Sequence, residues 1–263
     1  MNHLRIKGII AQNLFHLRHS LEDLIDTFFW PLIDVIIWGF MTTYFVGLGG
    51  PVAGLITFLM GGLILWNIVW RAQQDVSLTL LRNVWSRNIF NLFISPLTPK
   101  EFIVATMILG FLKILLTLSL ISTIAFFLYS FNLLSLGFYL LPFFVALIAF
   151  AWAVGVFITG LIIRFGMRIQ AFAWSLIVLL HPVSAVFYPV SILPPFLQKI
   201  AWFLPTAHIF EGMREVLSGG ELSIEHLIWA FGLNIIYLAF SAWFFAFMFE
   251  KAREKGKLAK VET

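Results

Sequence analysis

The sequence predicts an all-α, polytopic membrane protein with six transmembrane helices, an interfacial helix before them, and short re-entrant helices between spans five and six. Three observations support this fold class. Val35 to Trp70, Ile114 to Ile163, Ile169 to Gln198 and His226 to Phe249 contain no Asp, Glu, Lys or Arg. The chain is 61% hydrophobic and 11% charged over 263 residues, a balance foreign to a water-soluble domain of this length. Its Lys and Arg residues gather in alternate gaps between the apolar stretches. A bilayer core takes roughly 20 apolar residues per helix, so the last stretch holds one span and the longer ones can hold two.

Residues 1–263 read as a single transmembrane domain: 1–27 an interfacial helix, 28–249 the six spans, 250–263 a charged tail. Ahead of the first span, Ile6, Ile9, Ile10, Leu14, Leu17, Leu21, Leu24 and Ile25 recur at helical spacing, while Arg5, Lys7, Gln12, Arg18, His19, Glu22 and Asp23 fill much of the remaining face. The pattern fits a helix lying in the interface plane, and also a helix packed on cytoplasmic loops. The first span runs from Phe28 to Val46, and Gly47-Leu48-Gly49-Gly50-Pro51 turns the chain into a second that ends near Trp70. A polar loop, Arg71 to Lys100, precedes the third span, Phe102 to Tyr129. At its end, Thr98, Pro99 and Glu101 have the spacing of a capping box with proline in the first turn. A break at Ser130 to Gly137 leads to the fourth span, which ends at Ile163, and Arg164 to Gln170 is a short basic loop. The fifth span is expected from Ala171 to Val190, and the sixth ends near Phe249. Between them, Pro194, Pro195 and Pro205 interrupt the apolar pattern Phe196, Leu197, Ile200, Phe203 and Leu204, which predicts short helices dipping into the outer leaflet and returning.

With loops assigned alternately to the two sides, Arg5, Lys7, Arg18, Arg71, Arg82, Arg87, Lys100, Arg164, Arg168 and the basic tail share one side, leaving Lys199 and Arg214 on the other. Cytoplasmic loops retain Lys and Arg, so both termini are expected in the cytoplasm and the number of spans is even. The formal charge of +4 does not indicate a nucleic-acid binder, because the basic residues sit at the ends of apolar segments and form no polar face. Without cysteine there is neither a disulfide framework nor a thiolate metal site. Met1 to Asp26 is too charged to be a cleavable signal.

Two segments carry a family resemblance. SPLTPKEF, Ser95 to Phe102, resembles the segment ahead of the third span in permeases of the ABC type-2 transporter family. FYPVSILPPFLQKIAWFLPTAHIFEGMREVLSGG, Phe187 to Gly220, resembles that family's connection between its last two spans, and the layout of helices and loops is similar too. The resemblance implies a permease subunit of an exporter in the inner cell membrane, joined to a second copy or a similar permease and to cytoplasmic ATPase subunits. ATP and Mg would be bound by those partners, since this chain carries no Gly-rich Lys-Ser/Thr phosphate loop. The permease itself would hold no cofactor and catalyse no reaction. Its implied cargo is a lipid-linked glycan, a lipid or a hydrophobic drug-like compound.

In that reading Arg82, Trp85 and Arg87 of the long loop and Arg164 and Arg168 of the short one meet the ATPase. Gln73, Gln74, Asp75, Asn83 and Asn88 offer polar contacts, and Leu78, Leu80, Leu81 and Val84 could seat a helix in a groove. The same pattern also suits a segment resting on lipid headgroups. By resemblance Pro205, Glu211 and Arg214 belong to an external gate, against the plainer reading of a surface helix with ordinary ion pairs.

Asp34 and Lys113 fall inside spans one and three. Intramembrane charges are costly and usually face protein or water, so their opposite signs suggest a structural pair, with a place on the translocation path as the alternative. His181 and His208 read as interfacial polar residues and not as metal ligands. Trp30, Trp66, Trp70, Trp174, Trp229 and Trp243 lie near span ends, where an aromatic belt is expected. A secondary transporter built on Asp34 and Lys113 would show inverted repeats with matched broken helices, and none is evident. A non-transporting scaffold remains a further alternative, while an intramembrane enzyme would need a converging nucleophile, base and oxyanion donor that the sequence lacks.

Overall fold

The computed structural model describes residues 2–48, 55–85 and 96–254, and among these the regular structure is entirely helical. The predicted turn at Gly49-Gly50-Pro51, the residues Arg87 and Asn88, and the tail residues Lys255, Lys257 and Lys260 lie outside the described residues. Four helical runs are long and apolar enough to cross a membrane: Leu21–Gly47, Pro99–Tyr129, Leu133–Phe165 and Ile224–Glu254.

Helix α1 (His3–His19) starts at Asn2, whose side chain accepts from the Leu4 amide. It buries Leu17 and half-buries Ile6, Ile9, Ile10 and Asn13, while Leu4 and Phe15 stay exposed. Ser20 then breaks the helix and caps α2 (Leu21–Leu24) by accepting from the Asp23 amide. A π-turn at Ile25–Phe29 carries the chain into α3 (Trp30–Gly47). Along α3 the buried positions Pro31, Val35, Gly39 and Thr42 fall on one face at helical spacing.

Helix α4 (Leu55–Trp85) corrects the sequence reading most. A second span ending near Trp70 and a polar loop from Arg71 were expected, but the helix runs unbroken for 31 residues, about 46 Å at 1.5 Å per residue. Arg71, Gln73, Gln74, Asp75, Ser77 and Thr79 are buried, as are Leu78, Leu80 and Leu81. They are therefore withdrawn from any soluble partner. Hydrogen bonds within the helix offset part of the cost: Thr79 Oγ1 donates to the Asp75 carbonyl at 2.6 Å, Ser77 Oγ to that of Gln73 at 3.0 Å, and Gln73 Nε2 to Ser77 Oγ at 2.9 Å. Both side-chain amide atoms of Gln74, Gln73 Oε1 and Asp75 Oδ2 have no hydrogen-bond partner among the described residues, yet the segment is helical core, which charge counting does not reveal.

Helix α5 (Pro99–Tyr129) has the expected capping box. The Glu101 amide donates to Thr98 Oγ1, and the Thr98 amide donates back to Glu101 Oε2 at 3.0 Å. The same buried carboxylate accepts from the Asn2 amide at 2.7 Å and lies 3.6 Å from Arg5, so the start of α5 also anchors α1, which packs along it.

Ser130, in the left-handed region at φ 55°, ends α5. A short 3₁₀ stretch, Leu133–Tyr139, leads into α6 (Leu140–Phe165). A turn at Gly166–Ile169 starts α7 (Gln170–Val183). The fifth span was expected to reach Val190, but α7 has only 14 residues, about 21 Å. It stops just before Ala185, which adopts φ 54° and whose carbonyl accepts from Arg214. Two short helices follow, α8 (Pro195–Trp202) and α9 (Pro205–Leu217), in the region where re-entrant helices were predicted. Finally α10 (Ile224–Glu254) continues five residues past the expected end at Phe249. The core lies where α4 and α10 pack on opposite parts of α6 and α5 closes over α4.

Candidate functional site

Helices α3 and α7 both pack on α4, and a trough with α4 as its floor runs between them. Trp30, Asp34 and Trp38 recur every fourth residue on α3, Trp66 and Trp70 are four apart on α4, and Trp174 and His181 are seven apart on α7. These spacings bring each set onto the face that lines a cleft of 480 Å³. Trp38 stacks on Phe187 with ring centroids 4.7 Å apart, and His181 lies 4.6 Å from Trp66. A second cleft of 1200 Å³ shares Asp26, Trp30 and Trp174 with the first and extends to α1, α2 and the end of α4, reaching Glu22, Asp23, Arg82 and Trp85. The two clefts thus adjoin along Asp26, Trp30 and Trp174, and are together termed the groove.

Ion pairs from α4 brace it. Arg71 Nη1 donates to Asp26 Oδ2 at 2.8 Å, and its other terminal nitrogen to the Asp26 carbonyl. Arg82 pairs with Asp23, and His16 Nε2 lies 3.5 Å from that same carboxylate. Deeper in the protein, Lys113 Nζ is 2.9 Å from Asp75 Oδ1, with both side chains nearly inaccessible. The expected pairing of Lys113 with Asp34 is therefore corrected. Because α4 stays helical beyond Trp70, Asp75 comes to face α5, where Gly110 leaves it room: a Cβ there would be 3.0 Å from Asp75 Cβ. Asp34 lies exposed on the groove side of α3, with no salt bridge or side-chain hydrogen bond among the described residues.

At the opposite end from Asp23, the three residues expected at an external gate share one helix, with Glu211 and Arg214 in contact. Pro205 opens α9. Glu211 Oε1 accepts from the Val190 amide at 2.6 Å and lies 3.1 Å from Arg214 Nη2, while Arg214 Nη1 donates to the Ala185 carbonyl at 2.8 Å. Both side chains thus clamp the segment between α7 and α8, at Ala185 and at Val190. Ser184 and Thr206 share a hydroxyl contact of 2.8 Å beside them. Gly62 of α4 sits directly beneath, where a Cβ would come within 2.7 Å of the Val186 carbonyl oxygen.

His208, buried on α9, joins this region to α10. Its Nε2 is 2.8 Å from the Trp202 carbonyl, which only an N–H can satisfy, so the neutral ring accepts at Nδ1 from His226 Nδ1, 3.2 Å away. Burial holds His208 below the usual imidazole range, opposed by the Trp202 carbonyl, reinforced by His226, and opposed again by Glu225 and Glu211. A His with a lowered folded-state pKa adds stability that is present above its unfolded value and lost as the pH falls below it. Hydrogen-exchange protection in α9, corrected for the intrinsic exchange rate at each pH, is therefore expected to fall as the pH drops below about 6.5, and His208→Asn to flatten that dependence.

The residues expected to meet an ATPase divide. Trp85 is exposed at the end of α4, and Arg168 is exposed in the Gly166–Ile169 turn, which packs on α4. Arg164 is half-buried, 3.5 Å from the Lys251 carbonyl. Arg82 is engaged internally by Asp23. Among the described residues, no group of three or more His, Asp or Glu side chains could hold a metal ion.

Residues 23–218 match the ABC-2 type transporter family, a segment that takes in Asp23, the groove-lining parts of α3, α4 and α7, and the pair Glu211 and Arg214. The chain belongs to that family. The permease is also similar to the inner membrane transport permease YadH of Escherichia coli strain K12 and of Shigella flexneri, at 23% identity over 207 residues, covering 75% of this chain and 79% of each relative. Family membership defines a membrane permease domain without ATPase motifs. What the sequence missed in this permease is the groove. Trp30, Trp66, Trp70 and Trp174 were read as an interfacial belt, and Trp38 was not singled out. The four-residue spacings Asp34/Trp38 and Trp66/Trp70 were the available signal, but they reveal a shared face only, not which faces meet.

Proposed function

We propose that this chain is the membrane subunit of an ATP-driven exporter in the inner membrane, and that its cargo moves along the groove between α3, α4 and α7. The observation that carries this reading is a trough in an ABC-2 permease, lined by tryptophans and by Asp34, a carboxylate unpaired among the described residues. In lipid an unpaired carboxylate is costly, so this face calls for a cover. A second copy of the chain, or a similar permease, covers it and completes the path. The topology has six spans, with α4 and the short α7 crossing alongside the four runs that are long and apolar enough by themselves, and both termini in the cytoplasm. The clamp of Glu211 and Arg214, together with Pro205 at the start of the same helix, forms the external gate.

ATP hydrolysis belongs to a separate cytoplasmic subunit. Trp85 and Arg168 supply its contact surface, with Arg164 beside the turn and Arg82 positioning the end of α4 through Asp23. Co-expression with its ATPase should yield a stable complex. Trp85→Ala combined with Arg168→Ala is expected to reduce transport-coupled ATP turnover by about tenfold or more, by analogy with hot-spot residues at protein interfaces. Transport and turnover measured together in proteoliposomes decide this, and undiminished coupling in the double variant refutes the contact assignment. The cargo is an amphiphile: a lipid, a lipid-linked glycan or a hydrophobic drug-like compound. An ion-coupled transporter built on Asp34 and Lys113 is the weaker reading, because Asp75 already neutralises Lys113.

A further inference from the structure

We propose that the groove selects amphiphilic cations, an inference that rests on the reading of the groove as the cargo path. Its charge balance runs opposite to that of the whole chain. The sequence carries a formal charge of +4. The two joined clefts, however, are lined by four carboxylates, Glu22, Asp23, Asp26 and Asp34, against the two guanidiniums of Arg71 and Arg82. Arg82 neutralises Asp23 and Arg71 neutralises Asp26. Asp34 is left over in the narrower cleft, between Trp30 and Trp38 of its own helix and opposite Trp66, Trp70 and Trp174.

An aromatic face attracts a cation through its quadrupole, and the attraction grows as water is removed. A carboxylate among tryptophans therefore recognises a positive centre carrying apolar substituents. It repels an anionic headgroup of comparable size. The 480 Å³ cleft falls within the range of pockets that enclose drug-sized molecules. Among the three cargo classes, this chemistry favours a lipophilic cation and disfavours a lipid-linked glycan with its phosphates.

Two probes of nearly the same shape and opposite charge, tetraphenylphosphonium and tetraphenylborate, test the idea by titration of tryptophan fluorescence in the purified permease and in its complex with the ATPase. The wild-type protein is expected to bind the cation at least about tenfold more tightly than the anion. Asp34→Asn should collapse that preference to about twofold or less, and Asp34→Glu should keep it. Equal or reversed preference in the wild type overturns the proposal, whether or not the variants fold. A preference that survives Asp34→Asn overturns the role of Asp34. Binding of the cation without any ATP-dependent transport leaves the cation site standing and removes the exporter reading. ATP-driven transport with no preference for the cation does the reverse.

Discussion

Replacing Lys113 with Met is expected to destabilise the permease by about 3–5 kcal/mol, the typical cost of removing one partner from a buried ion pair. Asp75 is 1% exposed, and its Oδ2 has no hydrogen-bond partner, so without Lys113 its charge has no compensation. Asp75→Leu alone should be damaging for the same reason, leaving an ammonium group in the interior. The double variant, Lys113→Met with Asp75→Leu, is expected to recover most of the loss, because two apolar side chains need no counter-charge. Thermal unfolding of the purified chain, run as a double-mutant cycle, measures the coupling directly. Additive effects of the two single changes would mean that the pair does not act as a unit. The same cycle tests the structural correction made above, since Asp34→Asn should show little coupling to Lys113.

Gly155→Leu is expected to cost at least about 1–3 kcal/mol, the usual penalty of overpacking a core, and more if α4 and α6 must separate. At Gly155 even a Cβ would come within 2.9 Å of Val76 Cβ and 3.0 Å of the Gln73 carbonyl oxygen, so the obstacle lies on or next to the neighbouring backbone. That close approach lets Thr159 Oγ1 reach the Val76 carbonyl at 3.4 Å and keeps the polar half of α4 buried against α6. Gly232 on α10 is the natural control. Nothing lies within 4 Å of its missing Cβ, and Gly232→Ala should be neutral or stabilising by up to about 1 kcal/mol through helix propensity. If Gly155→Leu and Gly232→Ala had the same unfolding midpoint, the tight α4–α6 contact would be refuted.

Local patterns in the chain were sufficient for a helical membrane protein, for the capping box of Thr98, Pro99 and Glu101, for the break near Ser130, and for short helices after Pro194. Each depends on neighbours in sequence: apolar runs, a side chain bonding the amide three residues on, a proline that cannot donate. The family was legible as well, because its two motifs are contiguous segments.

The buried polar half of α4, the partner of Lys113 and the tryptophan groove were decided by tertiary contacts. Gln73, Asp75 and Thr79 look like loop residues until Gly110 and Gly155 let α5 and α6 approach closely enough to enclose them. Asp75 and Lys113 are 38 residues apart, and only the packing of α4 on α5 brings them to 2.9 Å. Asp34 was visible from the start as a charge out of place in an apolar span. Its meaning depends on which helices stand opposite, because a carboxylate facing Lys113 would be structural, whereas one facing tryptophans across an open groove is available to a ligand.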